Sequence, residues 1–439
     1  MKFDKVFTVT SLSVAMVALT FPVNASAQSE DTAPTQKPSS ETQGYEDIVV
    51  TARRTSESLQ NVPVAVTALS GSALADRSVT NLSEVTQSVP NMLSAGSGNG
   101  GSAGQFFLRG VGQGDFTVNM DPGVAIYIDG VYYPRTQGAN LDLVDVERVE
   151  VLRGPQGTLY GKNATGGLIS YITRSPDAPE RMQAMMEVSS RNGLRGQFSF
   201  NRELSDNDTL YIGGSVVGLT QDGWGDVLVA PTNTSKLGLG KGNFNKRQSV
   251  SGRLSLLFRP SDALKFTVRG DMTEQNGAGP AVVLLAATPG TTTSNLVSEE
   301  QRADIGKFDR FYSDYRPPND LSLRGISLTG ELDLGGATLK SITAYRTLKQ
   351  SAGLDFDATD KAIANYGQKV WQNQFSQELQ LNGSSFDGAL DWITGAYFLR
   401  EKLSQELTLE GTAAPATLSG GTVQFQDVTP LTKSGLLPV

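Results

Sequence analysis

The chain has 439 residues and a formal net charge of −8, and it contains neither cysteine nor histidine. Disulfides, cysteine- or histidine-based zinc sites, Ser-His-Asp triads and histidine-ligated haem are therefore excluded. The negative net charge argues against nucleic acid as a partner.

The first 27 residues have the three parts of a secretory signal peptide. Lys2 and Lys5 precede an apolar run over 6–19, and Ala25-Ser26-Ala27 provides a small-residue cleavage site. The run is shorter than the about 20 residues that a membrane-spanning helix needs. We predict cleavage near Ala27 and export from the cytoplasm; the alternative is a buried core helix.

The next part of the chain changes from a polar stretch to a mixed pattern. Residues 28–44 have little to bury and are predicted to form a disordered periplasmic tether. From 45 to about 180, short β-branched runs such as Val124–Ile128 alternate with helical pieces, one of which ends before Pro90. This mixture predicts a small α+β domain.

From residue 183 onward, apolar and polar side chains alternate with the period of two that places them on opposite faces of a strand. Leu264, Phe266 and Val268, for example, alternate with polar residues. Nine strands are predicted, near 183–191, 194–204, 208–220, 246–259, 262–275, 320–334, 336–349, 370–382 and 388–402.

The predicted connections are short at one end of these strands and mostly long at the other. The long ones cover about 221–245, 276–319, 350–369 and the chain after 403. Long alternating strands with this loop asymmetry are typical of an outer-membrane β-barrel. The alternative is a soluble β-sandwich, whose strands average about 5–6 residues. We therefore predict an α+β domain followed by an antiparallel transmembrane β-barrel over 183–439.

Four sequence blocks in the α+β part carry a family resemblance. They are Asp47-Ile48-Val49-Val50-Thr51-Ala52-Arg53, Phe107-Leu108-Arg109-Gly110-Val111-Gly112, and the stretches 124–131 and 146–173. Together they resemble the plug domain of TonB-dependent outer-membrane receptors. The resemblance implies a plug over 53–180 inside a 22-stranded barrel. It also implies active uptake of a large, scarce nutrient, powered through TonB and its inner-membrane energising complex.

The same resemblance assigns roles to individual residues. The stretch 45–52 resembles the TonB box region, with Asp47, Ile48, Val49, Val50 and Thr51 as the TonB contact by strand addition. An ordinary first strand of the plug is the alternative. Three charged residues are expected to tie the plug to the barrel wall through gating ion pairs, or else to be purely structural: Arg109, Glu150 and Arg153.

The nine predicted strands fall short of the 22 that the resemblance implies. We therefore expect the chain to be the N-terminal part of a receptor, a truncated product or an incomplete sequence, with a non-transporting remnant as an alternative. A complete barrel would also have outer-membrane lipid and the barrel assembly machinery as partners. No sequence motif supports an enzyme, and neither a cofactor nor a metal is expected.

The nutrient is the least determined expectation. Ferric siderophores are the commonest substrates of the family; oligosaccharides and cobalamin-like nutrients are the alternatives. Aromatic residues next to arginine in the longest predicted loop suit a flat, anionic ferric chelate, although an interfacial aromatic belt would have the same composition. These residues are Phe308, Arg310, Phe311, Tyr312, Tyr315 and Arg316.

Overall fold

The computed structural model describes residues 49–55, 57–96, 103–114, 118, 120–140, 142–228, 244–287, 297–314, 316–361, 364–410 and 423–425. The predicted signal peptide, the predicted tether, Asp47, Ile48 and Tyr315 lie outside these ranges. Within the described ranges, none of the helices has the length and apolar character needed to cross a membrane.

The N-terminal part of the described chain consists of short strands and helices. The strands are β1 (Val49–Val50), β2 (Glu57–Ser58), β3 (Val66–Ser70), β4 (Met92–Gly96), β5 (Gly104–Leu108), β6 (Val111–Gly112), β7 (Val124–Ile128), β8 (Val131–Tyr133), β9 (Val146–Arg153) and β10 (Gly167–Thr173). Helices α1 (Gly71–Asp76) and α2 (Gly157–Tyr160) and a 3-10 helix (Glu84–Ser88) lie between them. The Ser70 hydroxyl caps α1 by accepting a hydrogen bond from the Ala73 amide.

Five of these strands form a mixed sheet in the order β3-β9-β10-β7-β8. Strand β10 runs parallel to β7 and antiparallel to β9, and all five residues of β7 are buried. Gly167 has φ +140°, and a Cβ there would lie 2.1 Å from the Leu152 carbonyl oxygen. Only glycine allows β9 and β10 to approach so closely. The α+β prediction for this part of the chain is confirmed.

The remaining strands are longer and form the sheet that we call the wall sheet. Its strands, in order, are β11 (Arg181–Ser189), β12 (Gly193–Glu203), β13 (Leu210–Gln221), β15 (Arg247–Ser261), β16 (Leu264–Gly277), β18 (Asn319–Asp333), β19 (Ala337–Asp355), β20 (Asn365–Ser385), β21 (Leu390–Glu410) and β22 (Val423–Phe425); β14 (Asp226–Leu228), α3 (Glu299–Ala303) and β17 (Arg310–Tyr312) lie in its connections. Neighbouring strands of the wall sheet are antiparallel.

All nine predicted strands are present, but the last three are longer than predicted. The ladder between β19 and β20 continues to the pair Asp355–Asn365, through residues predicted to be a loop. The apolar period-two pattern that marks β20 in the sequence begins only at Trp371. Backbone pairing therefore extends beyond the apolar band, where the sequence has no alternation to reveal it.

The wall sheet has the reverse polarity of a soluble protein. On β20, Trp371, Phe375 and Leu379 are 38%, 39% and 45% exposed, whereas Gln372 and Gln374 are only 7% and 2% exposed. The same outward apolar face continues on other strands, for example at Met186, Val216, Leu254, Met272, Leu328 and Phe398. A soluble sandwich would bury its apolar face, so that alternative is wrong. An apolar outer face and a polar inner face are those of a transmembrane barrel wall.

Candidate functional site

The polar face of the wall sheet packs against the N-terminal part, and this contact is the candidate functional site. At its centre, the guanidinium of Arg135 and the carboxylate of Glu401 form a two-pronged ion pair, with Nε–Oε1 2.8 Å and Nη2–Oε2 2.5 Å. Both side chains are at most 3% exposed. Gln372 donates to Glu401 at 2.5 Å, and Arg135 donates to the Val118 carbonyl oxygen at 2.7 Å. The buried charges are thus paired and hydrogen-bonded, as burial requires.

A second buried group surrounds Asp129, in the turn between β7 and β8. Its carboxylate accepts hydrogen bonds from the amide and hydroxyl of Thr173, both within about 3 Å, and pairs with Arg253 of β15. Arg269 of β16 lies 3.7 Å away. Burial alone would raise the pKa of Asp129. The charges of Arg253 and Arg269 outweigh that effect, so the pKa lies below its ordinary value.

Tyr133 of β8 makes the third contact with the wall sheet. The guanidinium carbon of Arg346 lies 4.1 Å from the centroid of the Tyr133 ring, and Arg346 also donates to both carboxylate oxygens of Asp271, at 2.9 and 2.7 Å. A desolvated cation–π contact of this kind contributes about 2 kcal/mol. Three further ion pairs connect the N-terminal part and its exit to the wall sheet: Asp142–Arg247, Asp145–Arg181 and Asp177–Arg259.

The described part of the predicted TonB-contact segment, Val49–Val50 and Thr51, is held on the N-terminal part. Strand β1 pairs with β2, and Val50 is fully buried. The Thr51 amide donates to the Glu150 carboxylate at 2.9 Å, and its hydroxyl lies 3.2 Å from both carboxylate oxygens. Tyr160 donates to the Thr51 carbonyl oxygen at 3.0 Å. This is the arrangement of a first strand, the alternative considered for this segment.

Among the described residues, the hydrogen bonds and ion pair of Glu150 lie within the N-terminal part and not at the wall sheet. Its carboxylate, fully buried, holds Thr51 and pairs with Arg148 at 2.7 Å. Both partners belong to the N-terminal part, because β9 places Glu150 in the middle of the mixed sheet.

Arg109 and Arg153 have no hydrogen bond or ion pair with the wall sheet among the interactions of the described residues. A Cβ on Gly154 would lie 3.6 Å from Nη1 of Arg109. Arg153 donates to the Pro90 carbonyl oxygen at 3.4 Å, while its Nε is buried without a hydrogen-bond partner. Arg109 is exposed and forms no ion pair with any described residue. Their gating role stays a prediction.

Directly after the predicted segment, Arg54 does reach the wall sheet. Its guanidinium lies 3.2 Å from Glu378 of β20 and 4.2 Å from the centroid of the Tyr160 ring. Asn382, also on β20, donates to the Arg54 carbonyl oxygen at 3.1 Å. The chain following Thr51 is therefore anchored to the wall by a side chain and by its backbone.

The predicted substrate residues divide into buried and exposed groups. Phe311 is 1% exposed and stacks edge-on against Trp224, with ring centroids 4.9 Å apart. Tyr312 is 9% exposed and donates to Asp304 at 2.9 Å. Neither ring offers a face to a ligand in this structure, because Phe311 packs against Trp224 of the connection after β13 and Tyr312 is bonded to Asp304 of its own connection.

The exposed group consists of Phe308, Arg310 and Arg316. Phe308 is 65% exposed. The guanidinium of Arg310 is partly committed, since it donates to Asp304 at 2.7 Å. Hydrogen bonds from Lys307 and Arg310 lower the pKa of Asp304 to about 2. Among the described residues, neither the Phe308 nor the Arg316 side chain forms a hydrogen bond or ion pair, although the charge of Arg316 acts on the Asp320 carboxylate.

Comparison with known proteins identifies the N-terminal part. The sequence model of the family described as TonB-dependent Receptor Plug Domain matches residues 58–168. The chain carries a TonB-dependent receptor plug. The mixed sheet and its buried contacts with the wall sheet are therefore contacts of a plug with a barrel portion.

Known receptors resemble the chain beyond the plug. The pesticin receptor of Yersinia pestis is 35% identical over 215 residues, which are 49% of this chain and 30% of that protein. The vitamin B12 transporter BtuB of Vibrio vulnificus is 29% identical over 178 residues, 40% of this chain and 28% of that protein. The crystal structure of the ferric yersiniabactin uptake receptor FyuA from Yersinia pestis has a TM-score of 0.65 at 25% identity, covering 79% of this chain and 50% of that one. The chain thus spans about half or less of these relatives.

Most of the plug residues that contact the wall were not singled out in the sequence. Asp129 lies in the block 124–131, which was chosen only for its resemblance, whereas Tyr133 and Arg135 lie just after that block. The sequence did indicate the wall side of this contact, because Arg269 and Asp271 lie on the polar face of a predicted barrel strand. A charged residue on the inner face of a plugged barrel needs a partner, and the plug is the nearest source of one.

Proposed function

We propose that this chain is the plug-bearing N-terminal part of an outer-membrane receptor that takes up a ferric siderophore with energy supplied by TonB. The observation that carries the proposal is a matched plug whose buried ion pairs hold it against a wall sheet of reversed polarity. A plug inside a barrel blocks free diffusion, so uptake requires that the plug be moved. The proposal includes no enzymatic step.

The contacts around Thr51 suggest how force would enter the plug. In our proposal TonB pairs with the segment 47–51 by strand addition. Pulling on that segment first loads the hydrogen bonds between Thr51 and Glu150, and then the anchor between Arg54 and Glu378. Strain would reach the buried pair of Arg135 and Glu401 only after these contacts break. Buried ion pairs are weak stabilisers but well suited to hold one of two states.

The remaining parts of the proposal concern location and partners. We place the receptor in the outer membrane, exported through the signal peptide that ends near Ala27 and inserted by the barrel assembly machinery. Outer-membrane lipid would cover the apolar outer face of the wall sheet. TonB would act together with its inner-membrane energising complex.

The ferric siderophore is favoured by the names of the relatives, which include a ferric yersiniabactin uptake receptor. A cobalamin-type nutrient is the second candidate, because a vitamin B12 transporter is also among the relatives. Of the predicted substrate residues we retain Phe308, Arg310 and Arg316, since their side chains are exposed.

The test is an uptake assay with the full-length receptor in a host that lacks its own siderophore receptors. We expect accumulation of radiolabelled iron from at least one siderophore of a panel, and loss of accumulation when the proton gradient is collapsed. Radiolabelled cobalamin and oligosaccharides serve as competing substrates. Energy-dependent uptake of either of these, with none of any iron chelate, would overturn the siderophore assignment.

A further inference from the structure

The connections at the long-loop end of the wall sheet contain a buried acidic group outside the plug contact. The nearest carboxylate oxygens of Asp314, Asp355 and Asp357 all lie within 4.8 Å of one another, and the three side chains are at most 9% exposed. We call the whole group the acidic loop site; it comprises Asp314, Asp355, Asp357, Asp360 and Asn365.

The acidic loop site is poor in positive charge. Among the described residues, the one cation in contact is Lys361, whose Nζ lies 3.4 Å from Asp360 and whose side chain is 42% exposed. Four carboxylates therefore share one peripheral ammonium group. Like charges buried together require either protonation or a counter-ion.

Hydrogen bonds position these carboxylates without neutralising them. Asp355 accepts from the amides of Asp357 and Ala358, both at 3.2 Å, and from the Ser313 hydroxyl at 2.6 Å. Asp357 accepts from the Thr359 amide at 2.9 Å. All of these donors are neutral. The oxygens are thus fixed towards one another by the folded chain at a cost in electrostatic free energy.

Two further oxygens in the acidic loop site have no hydrogen-bond partner. The Asn365 carboxamide touches Asp314, with Nδ2 at 3.1 and 3.2 Å from its carboxylate oxygens, but its Oδ1 is buried and unpaired. Oδ1 of Asp360 is likewise buried and unpaired. Each side chain is only 7% exposed. Buried acceptors without donors are rare in folded proteins and call for a ligand, an ion or water.

We propose that the acidic loop site binds one Ca²⁺ ion. Carboxylate and amide oxygens are the ligands that Ca²⁺ prefers, and its flexible coordination by six to eight oxygens suits an irregular loop better than the strict octahedron of Mg²⁺ does. Asp355, Asp357 and Thr359 alternate along the chain, the spacing at which calcium loops present their first ligands.

The bound ion would join two separate connections of the wall sheet. Asp314 precedes β18, whereas Asp357 and Asp360 lie between β19 and β20. Calcium therefore pins these two loops together at the same end of the sheet as Phe308 and Arg316. This inference is independent of the nutrient and of TonB.

The test is calorimetric titration of CaCl₂ into the full 439-residue chain, purified in detergent and treated with a chelator. We expect one Ca²⁺ per chain, with a dissociation constant between roughly 10⁻⁷ and 10⁻³ M. Asp357→Asn should weaken binding by about tenfold or more. The matched control is Asp304→Asn, since Asp304 is a buried loop carboxylate already paired with Lys307 and Arg310.

Absence of binding to the wild-type chain at millimolar CaCl₂ would overturn the proposal, as would equal affinity in wild type and Asp357→Asn. If Asp357→Asn fails to fold, Asp360→Asn decides the question, because Oδ1 of Asp360 makes no hydrogen bond that folding requires. Trypsin gives a second readout. Calcium should protect the bond after Lys361 in the wild type and in Asp304→Asn, and unchanged cleavage with calcium would contradict a site at this loop.

Discussion

Arg135 and Glu401 lie 266 positions apart in the chain, yet their side chains form a completely buried, two-pronged ion pair between the plug and the wall sheet. The pair has no exposure through which water could replace a lost partner. Its loss would therefore leave one charge buried without compensation.

We predict that Glu401→Gln destabilises the folded chain by about 3–5 kcal/mol, because it leaves the buried Arg135 guanidinium with only the partly exposed carboxylate of Asp121, 3.3 Å away. The urea midpoint of unfolding, followed by tryptophan fluorescence, measures the effect. Replacing both residues, as in Arg135→Met with Glu401→Leu, should recover much of the loss, since no charge then remains buried.

A control for this prediction lies on the same strand. Glu406 pairs with Lys369 at 3.7 Å, and the two side chains are 30% and 55% exposed. Because solvent screens such a pair, it contributes at most about 1 kcal/mol to the free energy of unfolding. Equal destabilisation by Glu406→Gln and Glu401→Gln would contradict the importance of the buried plug–wall pair.

A second prediction concerns the hydrogen bonds between Thr51 and the Glu150 carboxylate. Thr51→Val removes the hydroxyl donor and leaves the hydrogen bond from the backbone amide to Glu150. We therefore expect the free energy of local opening at this end of the plug to fall by about 1 kcal/mol. Hydrogen exchange at residues 49–52 should quicken about fivefold. Thr55→Val in the same hairpin is the control, because Thr55 bonds Glu57 and not Glu150. Similar hydrogen-exchange rates in both variants would contradict a stabilising role for the hydrogen bond between Thr51 and Glu150.

The third prediction tests the TonB contact itself. Proline at Ile48 or Val49 removes a backbone donor and fixes φ, which disfavours strand addition. We expect Ile48→Pro and Val49→Pro to abolish energy-dependent uptake by the full-length receptor while nutrient binding to whole cells persists. Val49→Ala keeps the donor and should transport normally. If both proline variants transport at the wild-type rate, TonB does not pair with this segment.

The fold was largely predictable because strands and plug blocks are local patterns. The alternation of apolar and polar residues over 264–272 predicts a strand from neighbouring residues alone. The tight turns and close strand crossings of 146–161 are likewise indicated by residues within that stretch. The extended ends of β19 and β20 were missed since polar residues there pair through the backbone alone. Backbone pairing beyond the apolar band depends on how far the partner strand extends, and the local sequence of one strand does not show this.

The candidate site was less predictable for the same physical reason. Resemblance indicated Arg109, Glu150 and Arg153 as links to the wall, but among the described residues the links are made by neighbours such as Asp129 and Arg135. An ion pair across 266 positions leaves no mark in either local sequence. Phe311 and Tyr312 illustrate the converse, because an aromatic cluster in a loop can serve packing as well as binding.

The final prediction concerns acid. The pKa of Asp129 in the folded chain lies below the unfolded value of about 3.9, since Arg253 and Arg269 stabilise the carboxylate. Its stabilising effect is therefore complete above that value and is lost as the pH falls through the folded pKa. We expect the urea midpoint to decline below about pH 4, and Asp129→Asn to be less stable at pH 7 but to decline less steeply. Asp262→Asn, in an exposed turn, should follow the wild-type curve. An acid decline as steep in Asp129→Asn as in the wild type would show that protonation of this plug carboxylate does not weaken the plug–wall contact.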